Sequence, residues 1–312
     1  MPDIIITEFM DDGPVSDLEK KFTVHRDDTL WEKPDELTAL LADASGLIVR
    51  NKTQVTAAFL DAAPRLRVVG RLGVGLDNID VAACEARNIA VCPATGANAA
   101  AVAEYVVTAA LMLLRGAYSA SMDLAAGRWP REALGNGREL GGCTFGIVGF
   151  GNIGQETARR AAVFGCTILA HDPVLAADDP AWERAERCSM TDLMAQADII
   201  SLHVPLTDRT RNMIGSAALA QMKPGAILIN SARGGIVDET ALAESIRAGH
   251  LGGAALDVFE REPPEPETIE KFAGLRNMIL TPHIAGLSTN ANARVSRLTV
   301  DNVLAALAKS DA

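Results

Sequence analysis

Between the strand-like run Thr144-Phe145-Gly146-Ile147-Val148 and a helical pattern starting at Gln155 lies Gly149-Phe150-Gly151-Asn152-Ile153-Gly154. Three glycines spaced in this way, after a strand and opening a helix, constrain the chain more than any other feature. The first makes a tight turn, the second lets backbone approach a ligand, and the third lets the helix pack on the strand. The helix start then offers free N–H groups and a positive dipole end to phosphate. Alone the pattern is weak, and the next strand sharpens it. Residues 167–170 are apolar and lead into His171-Asp172, about 18 residues beyond Gly154 and close to the ~20 expected of a ribose-binding acid. A carboxylate there accepts from a ribose 2′-hydroxyl and repels a 2′-phosphate. The expected cofactor is NAD rather than NADP, held by Gly149, Gly151, Asn152, Ile153, Gly154 and Asp172.

The same alternation of strand and helix runs along the whole chain. Short apolar runs at 4–6, 47–49 and 66–70 are separated by helical stretches such as 34–42. A long apolar helix is expected over 98–118, followed by a polar, glycine-bearing connection at 127–142. Strands then recur at 144–148, 167–170, 199–202, 226–229, 253–256 and 278–280, and the segment 290–307 is helical. Runs apolar on both faces suit parallel strands covered on both sides. With 312 residues, too many for one ordinary core, the expected fold is α/β with two doubly wound, parallel-sheet (Rossmann-type) domains.

Composition narrows the partners. The net charge of −11 argues against nucleic acid or an anionic membrane, both of which select basic surfaces. A small anion needs only local positive charge. The five cysteines, Cys84, Cys92, Cys143, Cys166 and Cys188, show no metal-type C-x-x-C spacing, so reduced thiols, no metal and a cytoplasmic location are expected. The opening Met1-Pro2-Asp3 lacks the basic start of a signal peptide. The most apolar stretch, 99–114, contains Glu104 and Thr108 and reads as a buried helix rather than a membrane span.

Several further stretches, in order, carry a family resemblance. They are Ser201-Leu202-His203-Val204-Pro205-Leu206-Thr207, Asn230-Ser231-Ala232-Arg233-Gly234-Gly235-Ile236-Val237-Asp238-Glu239, Leu256-Asp257-Val258-Phe259-Glu260-Arg261-Glu262-Pro263-Pro264 and Thr281-Pro282-His283-Ile284-Ala285-Gly286. Together with the glycine loop they make the chain resemble the D-isomer-specific 2-hydroxyacid dehydrogenases over nearly its whole length. The resemblance implies an oxidoreductase that moves a hydride between NAD and C2 of a small 2-hydroxy or 2-keto acid. It assigns Arg233, Glu262 and His283 as the catalytic set. The residue types suit the chemistry: an imidazole can take or give the C2 hydroxyl proton near neutrality, a carboxylate orients it, and a guanidinium fork holds the substrate carboxylate. It also implies that Asp257 binds the nicotinamide carboxamide and that His203, Pro205, Ser231 and Ala232 line the cofactor site. The family's domains are discontinuous, which implies a substrate-binding domain of 1–97 plus 286–312 and an NAD-binding domain of 98–285, with a cleft between them. The helix around 99–114 packs across a two-fold axis in the family, which implies a homodimer.

The substrate is read from the small domain. In the family, backbone N–H groups of Gly73, Val74 and Gly75 bind the substrate carboxylate, and two close glycines suit an anion nest. Arg50 ends one strand and Arg71 flanks this loop. Segments 47–53 and 69–80 resemble those of family members in which matching arginines bind a distal phosphate. That implies a three-carbon acid with a second anion on C3. Val74 stands where a threonine hydroxyl often helps phosphate, which favours a sulfonate such as (S)-3-sulfolactate over 3-phosphoglycerate. If Arg50 and Arg71 only make structural ion pairs, a simpler substrate such as glyoxylate or hydroxypyruvate stays open. From another class, NAD(H)-sensing corepressors of this fold can keep the same Arg, Glu and His. The compact length favours an enzyme.

Overall fold

The computed structural model describes residues 2–116 and 120–310. The chain divides into two compact units, Met1–Asn98 with Leu287–Ala312, and Ala99–Gly286.

The first unit is built on β1 (Ile4–Ile6), β2 (Val24–Arg26), β3 (Gly46–Val49), β4 (Val68–Arg71) and β5 (Ala90–Pro93). They pair in the order β2-β1-β3-β4-β5, every pair parallel. Side chains alternate between two cores. Ile5, Leu47 and Val69 face one, and Ile4, Ile6, Ile48 and Val68 face the other. The helix Thr289–Ser310 returns to cover the second face through Val295, Val300 and Val303. It lies so close that a Cβ on Gly70 would sit 2.5 Å from Val303 Cγ2, so β4 carries no side chain at that contact.

The second unit is built on β6 (Thr144–Val148), β7 (Thr167–His171), β8 (Glu186–Arg187), β9 (Ile199–Leu202), β10 (Ile227–Asn230), β11 (Gly253–Leu256) and β12 (Met278–Leu280). Their order is β12-β11-β10-β9-β6-β7-β8, again all parallel. One face packs Phe145, Ile147, Ile199 and Ile229 against the helices Ala99–Arg115 and Asn152–Val163. The other packs Val148, Ile200, Leu202 and Leu228 against helices such as Glu239–Arg247. This is the doubly wound α/β fold read from the sequence.

Three strands carry no sequence signal: β2, β5 and β8. All three sit at sheet edges, where one side is unpaired and burial is partial, so no apolar run marks them. The strand expected at 66–70 starts two residues later and ends one later, and the stretch 127–142 contains the helix Arg131–Leu134. The long helix ends at Arg115; Tyr118, where the sequence puts its end, lies outside the described residues. Burial pushes the thiol pKa of all five cysteines up, which disfavours thiolate chemistry. Among the described residues no helix is long and apolar enough to cross a membrane.

Candidate active site

Because every strand of the second sheet is parallel, all carboxyl ends lie along one edge. Gly149 follows β6, Asp172 follows β7 and His203 follows β9. Ser231, Ala232 and Arg233 follow β10, Asp257 follows β11 and His283 follows β12. In open parallel sheets ligands bind at this edge, where the strand order reverses, here between β6 and β9.

The glycine turn fits a dinucleotide. Gly149 has φ +91°, and a Cβ there would lie 2.5 Å from the His203 carbonyl oxygen. A Cβ on Gly154 would lie 2.2 Å from Gly149 O, so helix and turn touch backbone to backbone. Gly151 differs: its missing Cβ faces open space. It caps the helix Asn152–Val163, and among the described residues no side chain caps the first-turn amides. Those amides are left for an anion, and neither Asn152 nor Ile153 supplies a cap. Asp172 Oδ2 accepts from Phe150 N at 2.7 Å, and Oδ1 accepts from Val174 N and Leu175 N. The carboxylate therefore braces the turn and keeps acceptor capacity on Oδ2. A cavity of about 700 Å³, lined by Asp172, His171, Glu186, Arg187 and Cys188, lies at this end of the sheet rather than at His283. Farther along the edge the buried Ser231 Oγ has no hydrogen-bond partner among the described residues. His203 Nε2 pairs with Ser201 Oγ at 2.9 Å, and burial pushes its pKa down to about 3, so it stays neutral. Pro205 O accepts from Thr210 Oγ1 and fixes the following loop.

Arg233, Glu262 and His283 come together. The Asn230 side chain shapes the arginine turn: its Oδ1 accepts from Ala232 N and its Nδ2 donates to Arg233 O. Arg233 Nη1 donates to Ala232 O at 2.6 Å. Gly234 then lies directly against the backbone of 259–260, since a Cβ would fall 1.7 Å from Phe259 O. That contact joins the arginine turn to the loop bearing Glu262, whose Oε1 accepts from Phe259 N at 3.0 Å. Glu262 Oε2 meets His283 Nδ1 at 2.6 Å. The hydrogen bond to Glu262 raises the histidine pKa above 6.5 against the opposing effects of burial and the Arg233 charge. Burial pushes Glu262 up, but His283, Phe259 N–H and the Arg233 charge hold its carboxyl below the usual range. His283 has φ +55°, a conformation held by its N–H donating to Asp257 O and Thr281 O.

Asp257, 1% exposed, accepts from Thr281 Oγ1 at 2.6 Å on Oδ1, from Ile284 N on Oδ1 and from Ala285 N on Oδ2. Thr281 Oγ1 donates its one proton to this carboxyl and in turn accepts from Tyr105 OH at 2.7 Å. Asp257 thus holds the histidine loop in addition to any ligand role. Asn230, Gly234 and Thr281 carry no functional signal in the sequence beyond lying in motif stretches, and Tyr105, in the long helix, carries none.

In the first unit Arg71 Nη1 donates to Leu72 O at 2.7 Å and occupies the space a Gly73 Cβ would take, 1.5 Å from that position. Gly73, at φ +145°, leaves room for this guanidinium beside the loop that continues through Val74 and Gly75. Arg50 is partnered: its Nη2 donates to Asn292 Oδ1 at 3.0 Å.

Residues 107–285 match the family model of the D-isomer specific 2-hydroxyacid dehydrogenase, NAD binding domain. The chain belongs to the D-isomer specific 2-hydroxyacid dehydrogenase family. It is 52% identical to an (S)-sulfolactate dehydrogenase of Chromohalobacter salexigens over 98% of this chain and 99% of that one. A hydroxypyruvate reductase of Thermotoga maritima is 42% identical over 86% and 87%. A D-lactate dehydrogenase of Aquifex aeolicus, solved with NAD and lactic acid, superposes with a TM-score of 0.85 and 29% identity over 99% of this chain and 96% of that chain. The chain is an NAD-dependent 2-hydroxyacid dehydrogenase, and the glycine turn, the uncapped helix start and Asp172 of this dehydrogenase fit that cofactor.

Proposed function

We propose that this dehydrogenase interconverts (S)-3-sulfolactate and 3-sulfopyruvate in the cytoplasm as a homodimer. The observation that carries the substrate is the full-length similarity to the Chromohalobacter enzyme. The Arg71 guanidinium lying on the Gly73 loop supports it by placing positive charge beside backbone N–H donors. Val74 offers no hydroxyl to a phosphate, which supports sulfonate over phosphate.

The chemistry follows from the three side chains. His283 Nδ1 is engaged by Glu262, so Nε2 is the atom that exchanges a proton with substrate. In oxidation neutral His283 takes the C2 hydroxyl proton at Nε2. In reduction the imidazolium returns it to the C2 oxygen. Glu262 stabilises the imidazolium and fixes the ring. Arg233 holds the substrate carboxylate and polarises the C2 oxygen. NAD, when bound, supplies the hydride acceptor, and its reduced form the donor. The amides after Gly151 would hold its pyrophosphate, Asp172 its adenosine ribose, and Ser231, Ala232 and Asp257 would line its nicotinamide end.

The Arg50 bond to Asn292 favours a second reading, a reductase of small monoanionic acids such as hydroxypyruvate, in which Arg50 is structural. Turnover tests the proposal. Purified protein is expected to form NADH from racemic 3-sulfolactate at mildly alkaline pH, and His283→Asn to abolish it. NAD binding without turnover of any 2-hydroxy acid would overturn it in favour of a cofactor-sensing binding protein.

A further inference from the structure

Glu8 follows β1 and is 4% exposed, with no counter-ion among its hydrogen-bond partners; four consecutive backbone N–H groups surround it instead. Arg50 N donates to Oε1 at 2.9 Å, and Asn51 N to Oε2 at 3.2 Å. Lys52 N reaches both oxygens, at 3.2 and 3.0 Å, and Thr53 N donates to Oε1 at 3.1 Å. Successive amides converging on one point make an anion nest. Its occupant is the chain's own side chain. Burial pushes the Glu8 carboxyl up, but the amides of Thr53, Arg50, Lys52 and Asn51 outweigh burial, so it is ionised at neutral pH.

The nest is tied to the loop beside it. Thr7 Oγ1 and Thr53 Oγ1 lie 2.7 Å apart. Asn78 Nδ2 donates to Thr53 O at 2.7 Å, and Val55 N donates to Asn78 O at 2.8 Å. Leu72 N donates to Val49 O at 2.8 Å. The carboxyl ends of β1, β3 and β4 are thereby one hydrogen-bonded block, with Glu8 as its anion, Arg50 on its rim, and Arg71 and Gly73 on the neighbouring strand end.

We propose that Glu8 is a positioning residue for substrate specificity: by filling the 50–53 nest it fixes Arg50, with Arg71 on the neighbouring strand end, as the receptor for the anion on C3 of the substrate. This rests on the reading of Arg50 and Arg71 as substrate ligands. The carboxylate has a second effect. Four convergent amides left open would themselves attract an anion, and Glu8 keeps the substrate's second charge out of that nest.

Two variants test it. Glu8→Gln keeps the shape but sets an NH2 group against N–H donors, and Glu8→Ala opens the nest. Wild-type kinetics with 3-sulfolactate and D-lactate come first and decide the substrate reading by themselves. In Glu8→Gln the KM for 3-sulfolactate is expected to rise about tenfold or more, while kcat and the KM for D-lactate change by less than about threefold. In Glu8→Ala, sodium formate is expected to restore 3-sulfolactate KM and to raise Tm, and sodium chloride at equal ionic strength is not. Parallel loss on both substrates, or no formate effect on KM, would reduce Glu8 to a fold brace and overturn the proposal. A wild type that favours D-lactate would overturn the substrate reading and the specificity role together, with formate stabilisation of Glu8→Ala then marking a purely structural nest.

Discussion

Replacing Gly234 with alanine perturbs the candidate active site without touching any charged group. The glycine has no positive φ to strain, so the whole effect is contact. The new Cβ would fall 1.7 Å from Phe259 O, 2.0 Å from Phe259 C and 2.6 Å from Glu260 N. Real Cβ contacts do not come under 3.0 Å, so the arginine turn and the 259–260 backbone must separate by roughly 1.3 Å. Both sides are backbone, and neither can rotate away. Phe259 N donates to Glu262 Oε1 and Glu260 N donates to Glu239 Oε1, so the shift passes to the His283 partner. A misplacement near 1 Å is worth about a hundredfold in rate, or about 2.7 kcal/mol of barrier. Overpacking costs about 1–3 kcal/mol of stability, too little to unfold a protein of ordinary stability. The assay is NADH absorbance at saturating NAD, with a thermal melt and an NAD titration on the same sample. Gly13→Ala serves as control, because a Cβ there meets nothing within 4 Å. The expectation is a folded Gly234→Ala protein with kcat/KM about a hundredfold down and a control equal to wild type. Activity of Gly234→Ala within about threefold of wild type would refute the claim that this contact sets Arg233 against Glu262.

Glu262→Gln removes the negative charge whose hydrogen bond and attraction raise His283. Oxidation needs neutral histidine and is lost as pH falls through its pKa, so the acid limb of kcat/KM moves to lower pH in the variant. Reduction needs the imidazolium and is lost at lower pH on the rising side; an unmoved limb in both directions would contradict the pairing. Asp172→Ala deletes the proposed ribose acceptor and the brace on Phe150 N, so the KM for NAD is expected to rise about tenfold and discrimination against NADP to narrow. Unchanged cofactor kinetics would contradict that role. Sedimentation velocity is expected to give twice the mass of the chain. Its basis within the chain is exposed apolar surface at Met112, Met122, Leu124 and Trp129, and a monomer at micromolar concentration would contradict it.

The parts legible in the sequence are those whose physics is local. The turn after β6 needs glycine at 149 for its φ and at 154 for contact, and both needs act within a few residues. Central strands buried on two faces announce themselves as apolar runs; the edge strands β2, β5 and β8 do not. The parallel order then follows from alternation of strand and helix. What escapes reading is what depends on distant pairing. Glu8 looks like any acidic residue until the fold brings amides more than 40 positions away around it. Asn230 reads as a strand-end polar residue, yet both ends of its amide shape the Arg233 turn. Resemblance alone puts Asp257 at the nicotinamide carboxamide, and nothing in the sequence shows that its carboxylate carries the 281–285 loop. Arg50 and Arg71 read alike as cations, but one is bonded to Asn292 and the other lies on Gly73, a difference fixed by neighbours that sequence does not place.

The most direct test of the central claim is a comparison of kcat/KM for wild-type protein with NAD and racemic 3-sulfolactate, D-3-phosphoglycerate and D-lactate side by side. A dianionic three-carbon acid whose C3 anion is recognised through Arg50 and Arg71 predicts 3-sulfolactate ahead of D-lactate by about a hundredfold or more, since a lost charged contact is worth roughly 3 kcal/mol. D-lactate equal to or ahead of 3-sulfolactate would contradict the claim and leave a general reductase of small 2-keto acids.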